Sequence, residues 1–194
     1  MDPGRVNTLE KKFNELVMEW NTKINLVSRK KSNIYDLIED SRRFLDYIDF
    51  KEGLEVLDLG TGGGLPGVVI KIHHPEVNMT LVDSIKKKSD ALRDIVIKLG
   101  LNGTYVVNAR AEDIGNHPDF KRRFDYIVAR SVSTLDNLVK WSKNLVKRGG
   151  KLITVKGMDT SEEVLRAKYY KYVKNIEVFE NNGKNVLRVD FTVQ

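Results

Sequence analysis

LDLGTGGGLPG, residues 57–67, places five glycines in eleven residues directly behind a short apolar run. Glycine loses more backbone freedom on folding than any other residue. Such density is unfavourable unless the chain must turn sharply or let something approach its backbone. The flanks narrow the choice. "LEVLDLG" (54–60) has the length and apolar content of a buried strand, and Pro66 followed by "GVVIKIH" (67–73) starts a helix. A glycine-rich turn between a strand and a helix is the opening unit of an open α/β sheet.

The same alternation continues downstream. "NMTLVD" (78–83) reads as a second strand, followed by a helix to Leu99 that Gly100 ends in the left-handed conformation. "TYVVNA" (104–109) and "FDYIVAR" (124–130) are strands three and four. A helix over Leu135–Val146 ends at Gly149–Gly150, and "KLITVKG" (151–157) is the fifth strand. Thr160 to Glu163 fits a capping box for one more helix. "IEVFE" and "NVLRVDFTV" flank "NNGK", a hairpin turn. Upstream, Leu9, Phe13, Leu16, Val17, Trp20 and Ile24 fall at helical spacing, with Asn7 and Glu10 as a capping-type start. Ile34, Leu37, Ile38, Leu45 and Ile48 repeat that pattern from about Ser32.

The predicted architecture is a single α/β domain over residues 1–194: helices in 1–50, then a doubly wound, Rossmann-like core in 51–194. Its sheet has seven strands, mostly parallel, with an antiparallel edge hairpin and an N-terminal helical cap.

Bulk properties bound the function. Of 194 residues 41% are hydrophobic, enough for a core without disulfide or metal staples. Cysteine is absent, which removes disulfides, thiolate nucleophiles and cysteine-type zinc sites. His73, His74 and His117 have no partners at metal-ligand spacing, so they are expected to be structural or exposed and no metal is expected. Trp20 and Trp141 fall on apolar helix faces, as core residues. No apolar leader or membrane-length run is seen, so the expected location is the cytoplasm, away from membranes. The net charge of +6 favours a polyanionic partner, and the basic residues cluster at Ser28–Lys31, Lys86–Lys88 and Lys121–Arg123.

In such sheets ligands bind beyond the carboxyl ends of the strands. "GGGLPG" (62–67) satisfies the dinucleotide pattern G-x-G-x-x-G, and no Gly-Lys-Ser/Thr follows to make it a Walker loop. Asp58 discriminates. A carboxylate two residues before Gly60 would repel a pyrophosphate lying on the loop, whereas it suits a cationic ligand such as S-adenosylmethionine. The pattern Asp58-x-Gly60-x-Gly62-x-Gly64 is the one typical of methyl-donor sites. Asp83, ending the second strand, can accept ribose hydroxyls, a feature shared with NAD folds. "ARAED" puts Glu112 and Asp113 where a loop reaches adenine, or where they only cap a helix. Arg130 and Lys156, at the ends of strands four and five, are candidates for orienting donor or RNA.

The stretches "WNTKINLVS", "LDLGTGGGLPG", "LVDSIKKK", "ARAED", "ARSV" and "TVKG" together resemble the bacterial 16S ribosomal RNA guanine-N7 methyltransferases, also called glucose-inhibited division protein B. The resemblance runs from about Phe13 to Gly157 and is weakest over the last forty residues. It implies S-adenosylmethionine as cofactor. The implied partner is small-subunit ribosomal RNA, read here as part of an assembled or assembling 30S subunit and engaged by a monomer. Carried over by motif, Gly60, Leu65, Ala111, Glu112 and Arg130 would contact the donor. A histidine that the family usually carries near "LIEDS" is replaced here, with Leu37 nearby. Gly63 stands where the family often has proline or alanine.

Three other functions are compatible with parts of this pattern. An NAD-dependent oxidoreductase would use the glycines but is opposed by Asp58. A methyltransferase could act on a protein or small molecule. A non-enzymatic RNA-binding or assembly factor could retain the fold, and would keep its role without Asp83.

Overall fold

The computed structural model describes residues 2–192. The chain enters through α1 (Pro3–Asn21) and α2 (Tyr35–Arg42), the second continued by a 3-10 turn over Arg43–Tyr47. It then alternates β1 (Glu55–Leu59), α3 (Gly67–His73), β2 (Asn78–Asp83), α4 (Lys86–Leu99), β3 (Thr104–Asn108), a one-turn α5 (Ala111–Ile114) and β4 (Phe124–Arg130). α6 (Leu135–Ser142), β5 (Val146–Lys156), α7 (Ser161–Lys168), β6 (Val173–Asn181) and β7 (Lys184–Phe191) complete it.

The strands form one sheet in the order β3-β2-β1-β4-β5-β7-β6. The first five run parallel, and β7 pairs antiparallel with both β5 and β6. Strand order reverses at β1, between β2 and β4, so the crevice opens where β1 ends. Alternating side chains feed two cores. Val56 shares one core with Phe13, Ile34, Phe44 and Leu92 from the α1, α2 and α4 side, while Leu57 shares the other with Leu138 and Ala167 from α6 and α7. Among the described residues no helix is long and apolar enough to cross a membrane.

Several local expectations need correction. α1 begins at Pro3, not Asn7, because the Asp2 carboxylate already accepts the Gly4 N–H and caps the helix. Glu10 is instead buried between Arg42 and His73 (2.9 Å to the imidazole), joining α1, α2 and α3. Burial pushes the Glu10 carboxyl up, but the bonds from His73 and Arg42 outweigh it and hold it below its usual range. The second helix is broken into α2 and a 3-10 turn.

α6 stops at Ser142, and β5 starts at Val146, running straight through the glycines expected to separate them. A Cβ on Gly150 would lie 2.8 Å from the Asp125 carbonyl, so that glycine permits close strand approach at the β4–β5 bulge. The Thr160–Glu163 box does not close, since Thr160 makes no cap bond and Glu163 serves another helix. Asn182 (φ 47°) and Gly183 (φ 73°) are both left-handed at the β6–β7 hairpin, as a two-residue Asn-Gly turn requires. Val193, in the expected last strand, lies outside the described residues.

Candidate functional site

The glycine loop is held by the ends of β1 and β2. The Asp58 carboxylate accepts the Thr61 hydroxyl (2.7 Å) and the Gly67 N–H (2.8 Å) on the same oxygen, Oδ2. Gly60 and Thr61 N–H both donate to the Val82 carbonyl at 2.9 Å. Asp83 completes the frame: Oδ2 accepts the Gly62 N–H (3.0 Å) and Oδ1 the Ile85 N–H (2.8 Å). Glycine is needed at 67 because a Cβ there would stand 2.4 Å from Leu81 Cδ2. At 62 the need is conformational, with φ at +57° and open space beyond the Cα.

Two adjoining cavities lie over this loop. One of about 540 Å³ is lined by Gly60, Asp83, Ala111, Glu112, Ser131 and Trp141. The other, about 370 Å³, is lined by Gly62, Leu65, Lys31, Lys88 and Arg130, and shares Gly60, Asp83 and Ser131 with the first. A larger hollow of about 700 Å³ lies on the β3 edge beside Ile97 and Tyr105, away from the carboxyl ends of the strands. Seven residues singled out from the sequence therefore converge: Gly60, Gly62, Leu65, Asp83, Ala111, Glu112 and Arg130.

Asp58 and Lys156 do not line either cavity. Asp58 is fully buried; burial pushes its carboxyl up to about 6 against the opposing pull of Thr61 and the Gly67 N–H. Its role here is to close the loop, and it offers no face to the cavity. The Lys156 ammonium donates to the Ser133 carbonyl and pairs with Glu163 Oε2 at 2.9 Å. Glu163 in turn accepts the Leu135 N–H at 2.7 Å, capping the start of α6 from across the fold. Burial pushes the Glu163 carboxyl up, yet Lys156 and that N–H together hold it below the usual range. Lys156 is thus a brace for the 131–134 segment, with its side chain only 16% exposed, rather than a strand-end cation facing solvent.

Arg130 is restrained from behind. Its Nη1 lies 3.7 Å from Asp40 Oδ2, and its Nε is buried without a partner among the described residues. Asp40 Oδ1 also accepts Arg43 Nε (3.1 Å) and Lys184 Nζ (2.6 Å). One carboxylate therefore ties the helical cap, the end of β4 and the β6–β7 hairpin together.

Sequence reasoning missed three contributors. Ser131 (φ 56°) borders both cavities; it stands in the ARSV stretch that carries the family resemblance, which assigns it no role. Trp141, expected in the core, is on the flank of α6 and walls the cavity of about 540 Å³ beside Asp83. Val132 fills the space above Gly60, where a Cβ would meet its Cγ2 at 2.7 Å. The histidines are structural: His73 bonds Glu10, His74 stacks on Phe50 with ring centroids 3.4 Å apart, and His117 accepts the Asp119 N–H.

Comparison with known proteins gives this arrangement a family. The GidB family model, rRNA small subunit methyltransferase G, matches residues 6–186. A Ribosomal RNA small subunit methyltransferase G from Clostridium novyi (strain NT) is 34% identical over 158 residues, 80% of this chain and 65% of that protein. A protein of the same name from Desulforamulus reducens is 35% identical over 178 residues, covering 90% of this chain and 72% of the relative. The chain thus spans 65% and 72% of the length of these two curated relatives. Among solved structures, a predicted O-methyltransferase from Agrobacterium tumefaciens shares the fold with a TM-score of 0.64 at 13% identity, covering 76% of this chain and 78% of that one.

Proposed function

The chain belongs to the GidB family, rRNA small subunit methyltransferase G, and from that membership and the geometry of its glycine loop we propose that it transfers a methyl group from S-adenosylmethionine to nitrogen-7 of a guanine in 16S ribosomal RNA. The observation that carries this is the meeting of two cavities at Asp83 and Gly60, with Arg130 at the far wall.

The residues present fit the cofactor. Asp83 uses one lone pair on each oxygen for backbone N–H groups and keeps others for ribose hydroxyls. Ala111 and Glu112 edge the same cavity as Trp141 and would hold the adenine end. Arg130 lines the smaller cavity, and its guanidinium is a donor suited to the carboxylate of the amino-acid end. Gly60, Gly62 and Leu65 leave the floor free of bulky polar groups. When bound, this cofactor supplies an electrophilic methyl group on a sulfonium.

The acceptor needs little activation. Guanine nitrogen-7 carries a free lone pair on the neutral base, so no residue of this chain has to remove a proton. What the chain provides is alignment, worth several kcal/mol when the reacting atoms are held close to their attack geometry. The base gains positive charge on methylation, which makes the retained carboxylates favourable neighbours and an unrestrained cation unfavourable. Asp40 and Glu163, by fixing Arg130 and Lys156, keep both cations in place. Lys31 and Lys88 on the wall of the smaller cavity would meet RNA phosphates beside the target base. With Lys31 and Lys88 on the cavity wall, this domain would itself meet the RNA, and the reading extends to a monomer acting in the cytoplasm on RNA already shaped within an assembled or assembling 30S subunit.

Calorimetric titration with S-adenosylhomocysteine, with NAD in parallel, tests the cofactor assignment. Micromolar binding of the first and none of the second is expected; the reverse would overturn it.

A further inference from the structure

About half of the lysines and arginines have no carboxylate partner among the described residues, and five of these gather at one pole. At the amino-terminal end of the parallel strands, opposite the cavities, Arg122, Lys143, Lys147 and Arg148 line a shallow cleft with Tyr172. Three carboxylates of that region are engaged by other cations: Asp125 by Lys147 (2.8 Å), Glu55 by Arg123 (3.1 Å) and Asp190 by Lys151 (3.0 Å), while Asp49, which shares a hollow with Arg148, accepts the Tyr126 hydroxyl (2.9 Å). Among the described residues, Lys121, Arg122, Lys143, Arg148 and Lys171 have no carboxylate partner. All five are exposed. Five uncompensated cations repel one another, and a bound polyanion relieves that repulsion.

The backbone presents these groups deliberately. Arg122 has a positive φ of 50°, unusual for a residue with a side chain, and its N–H is tied to the Asn144 carbonyl at 2.8 Å. That bond fixes Arg122 beside the turn that carries Lys143. The Lys143 ammonium lies 5.1 Å from the centre of the Tyr172 ring, which stacks on Tyr170 at 5.2 Å. Arginine and lysine around stacked aromatic rings suit a sugar–phosphate chain, where charge meets phosphate and flat rings meet sugar or base.

We propose that this pole is a second RNA-contact surface, taking the phosphate backbone of a small-subunit RNA segment other than the one that carries the target guanine. The proposal rests on RNA being the substrate. β4 runs from Phe124, beside this pole, to Arg130 in the cavity wall, and seven residues at about 3.3 Å each separate the two by roughly 20 Å. That distance is too great for the nucleotides flanking one inserted base to serve both ends closely. The protein would therefore hold a folded RNA at two places, and the pole would set affinity for the large RNA without entering the chemistry.

Binding of small-subunit ribosomal RNA over a series of salt concentrations tests this, with wild type compared with R122A/K143A/R148A. The variant is expected to bind roughly tenfold or more weakly and to lose about three from the slope of log affinity against log salt. The variant R122K/K143R/R148K, which keeps the charge, should retain both. S-adenosylhomocysteine affinity should be unchanged in all three proteins, showing that the fold and cofactor site are intact. Unchanged RNA affinity and slope in the alanine variant would overturn the proposal, as would wild type that fails to bind this RNA. Wild type that binds RNA with the expected slope difference but transfers no methyl group would support the surface and overturn the proposed reaction instead.

Discussion

Asp58 and Gly67, nine residues apart, are joined by an N–H···Oδ2 bond of 2.8 Å that folds the glycine loop back onto the strand it leaves. The same oxygen holds the Thr61 hydroxyl at 2.7 Å. The loop's shape is thus set from below by a buried carboxylate and from the side by Asp83, with Val132 packed over Gly60 and open space beyond Gly62.

Gly67→Ala tests the close approach. The added Cβ would meet Leu81 Cδ2 at 2.4 Å and Asp58 Oδ2 at 2.8 Å, neither of which has room to retreat in a packed core. Overpacking of this kind is destabilising by about 1–3 kcal/mol. Chemical denaturation should show that loss, and S-adenosylhomocysteine titration should show weaker binding. A variant as stable and as tight-binding as wild type would mean the loop is looser than described.

The Asp58 carboxyl makes a pH prediction. Burial raises it to about 6 in the folded protein, against about 3.9 in the unfolded chain. Between those values the folded state retains a proton that the unfolded state has released. Stability should therefore fall as pH rises from about 4 to about 6 and level off above, with this group contributing on the order of 3 kcal/mol. Asp58→Asn keeps an acceptor oxygen and cannot ionise, so denaturation midpoints measured across that range should lose this part of the slope. Identical pH profiles for the two proteins would contradict the assignment.

Asp83→Ala removes the acceptor for the Gly62 and Ile85 N–H groups and the proposed ribose partner at once. S-adenosylhomocysteine affinity should drop by more than tenfold, from loss of a charge-assisted hydrogen bond of about 1.5–3 kcal/mol. Affinity within twofold of wild type would remove Asp83 from the site.

Asp40→Ala leaves Arg130, Arg43 and Lys184 gathered around an empty position. Lys184 is 41% exposed and can turn to solvent, so the stability loss should be modest, about 1–3 kcal/mol, below that of a fully buried pair. The affinity for S-adenosylhomocysteine should fall about tenfold, because Arg130 loses the carboxylate that orients it. Calorimetry on a variant shown to be folded separates the two effects.

The parts of this protein that the sequence displays most openly are those set by local chemistry. β4 is bounded at Phe124 and Arg130, and α4 ends at a left-handed Gly100, as local pattern and capping dictate. Strand-end residues such as Asp83 and Arg130 could be placed at the crevice because topology alone puts them there. Where the pattern misled, a distant partner had intervened. Glu163 has the spacing of a local capping box yet caps α6, because Lys156 and the Leu135 N–H are closer to its carboxylate than its own helix start. Glu10 has the spacing of a helix start and is instead neutralised by Arg42 and His73 from two other helices. Asp58 reads as a ligand residue because its place in the motif is visible, whereas its burial under the loop is a property of three dimensions.

The most direct measurement is methyl transfer from labelled S-adenosylmethionine to small ribosomal subunits that lack the modification, followed by chemical cleavage of the RNA at 7-methylguanine. Incorporation of label with scission at one guanine of the 16S RNA is the expected result. Label appearing on another atom, in protein, or not at all would contradict the proposed reaction.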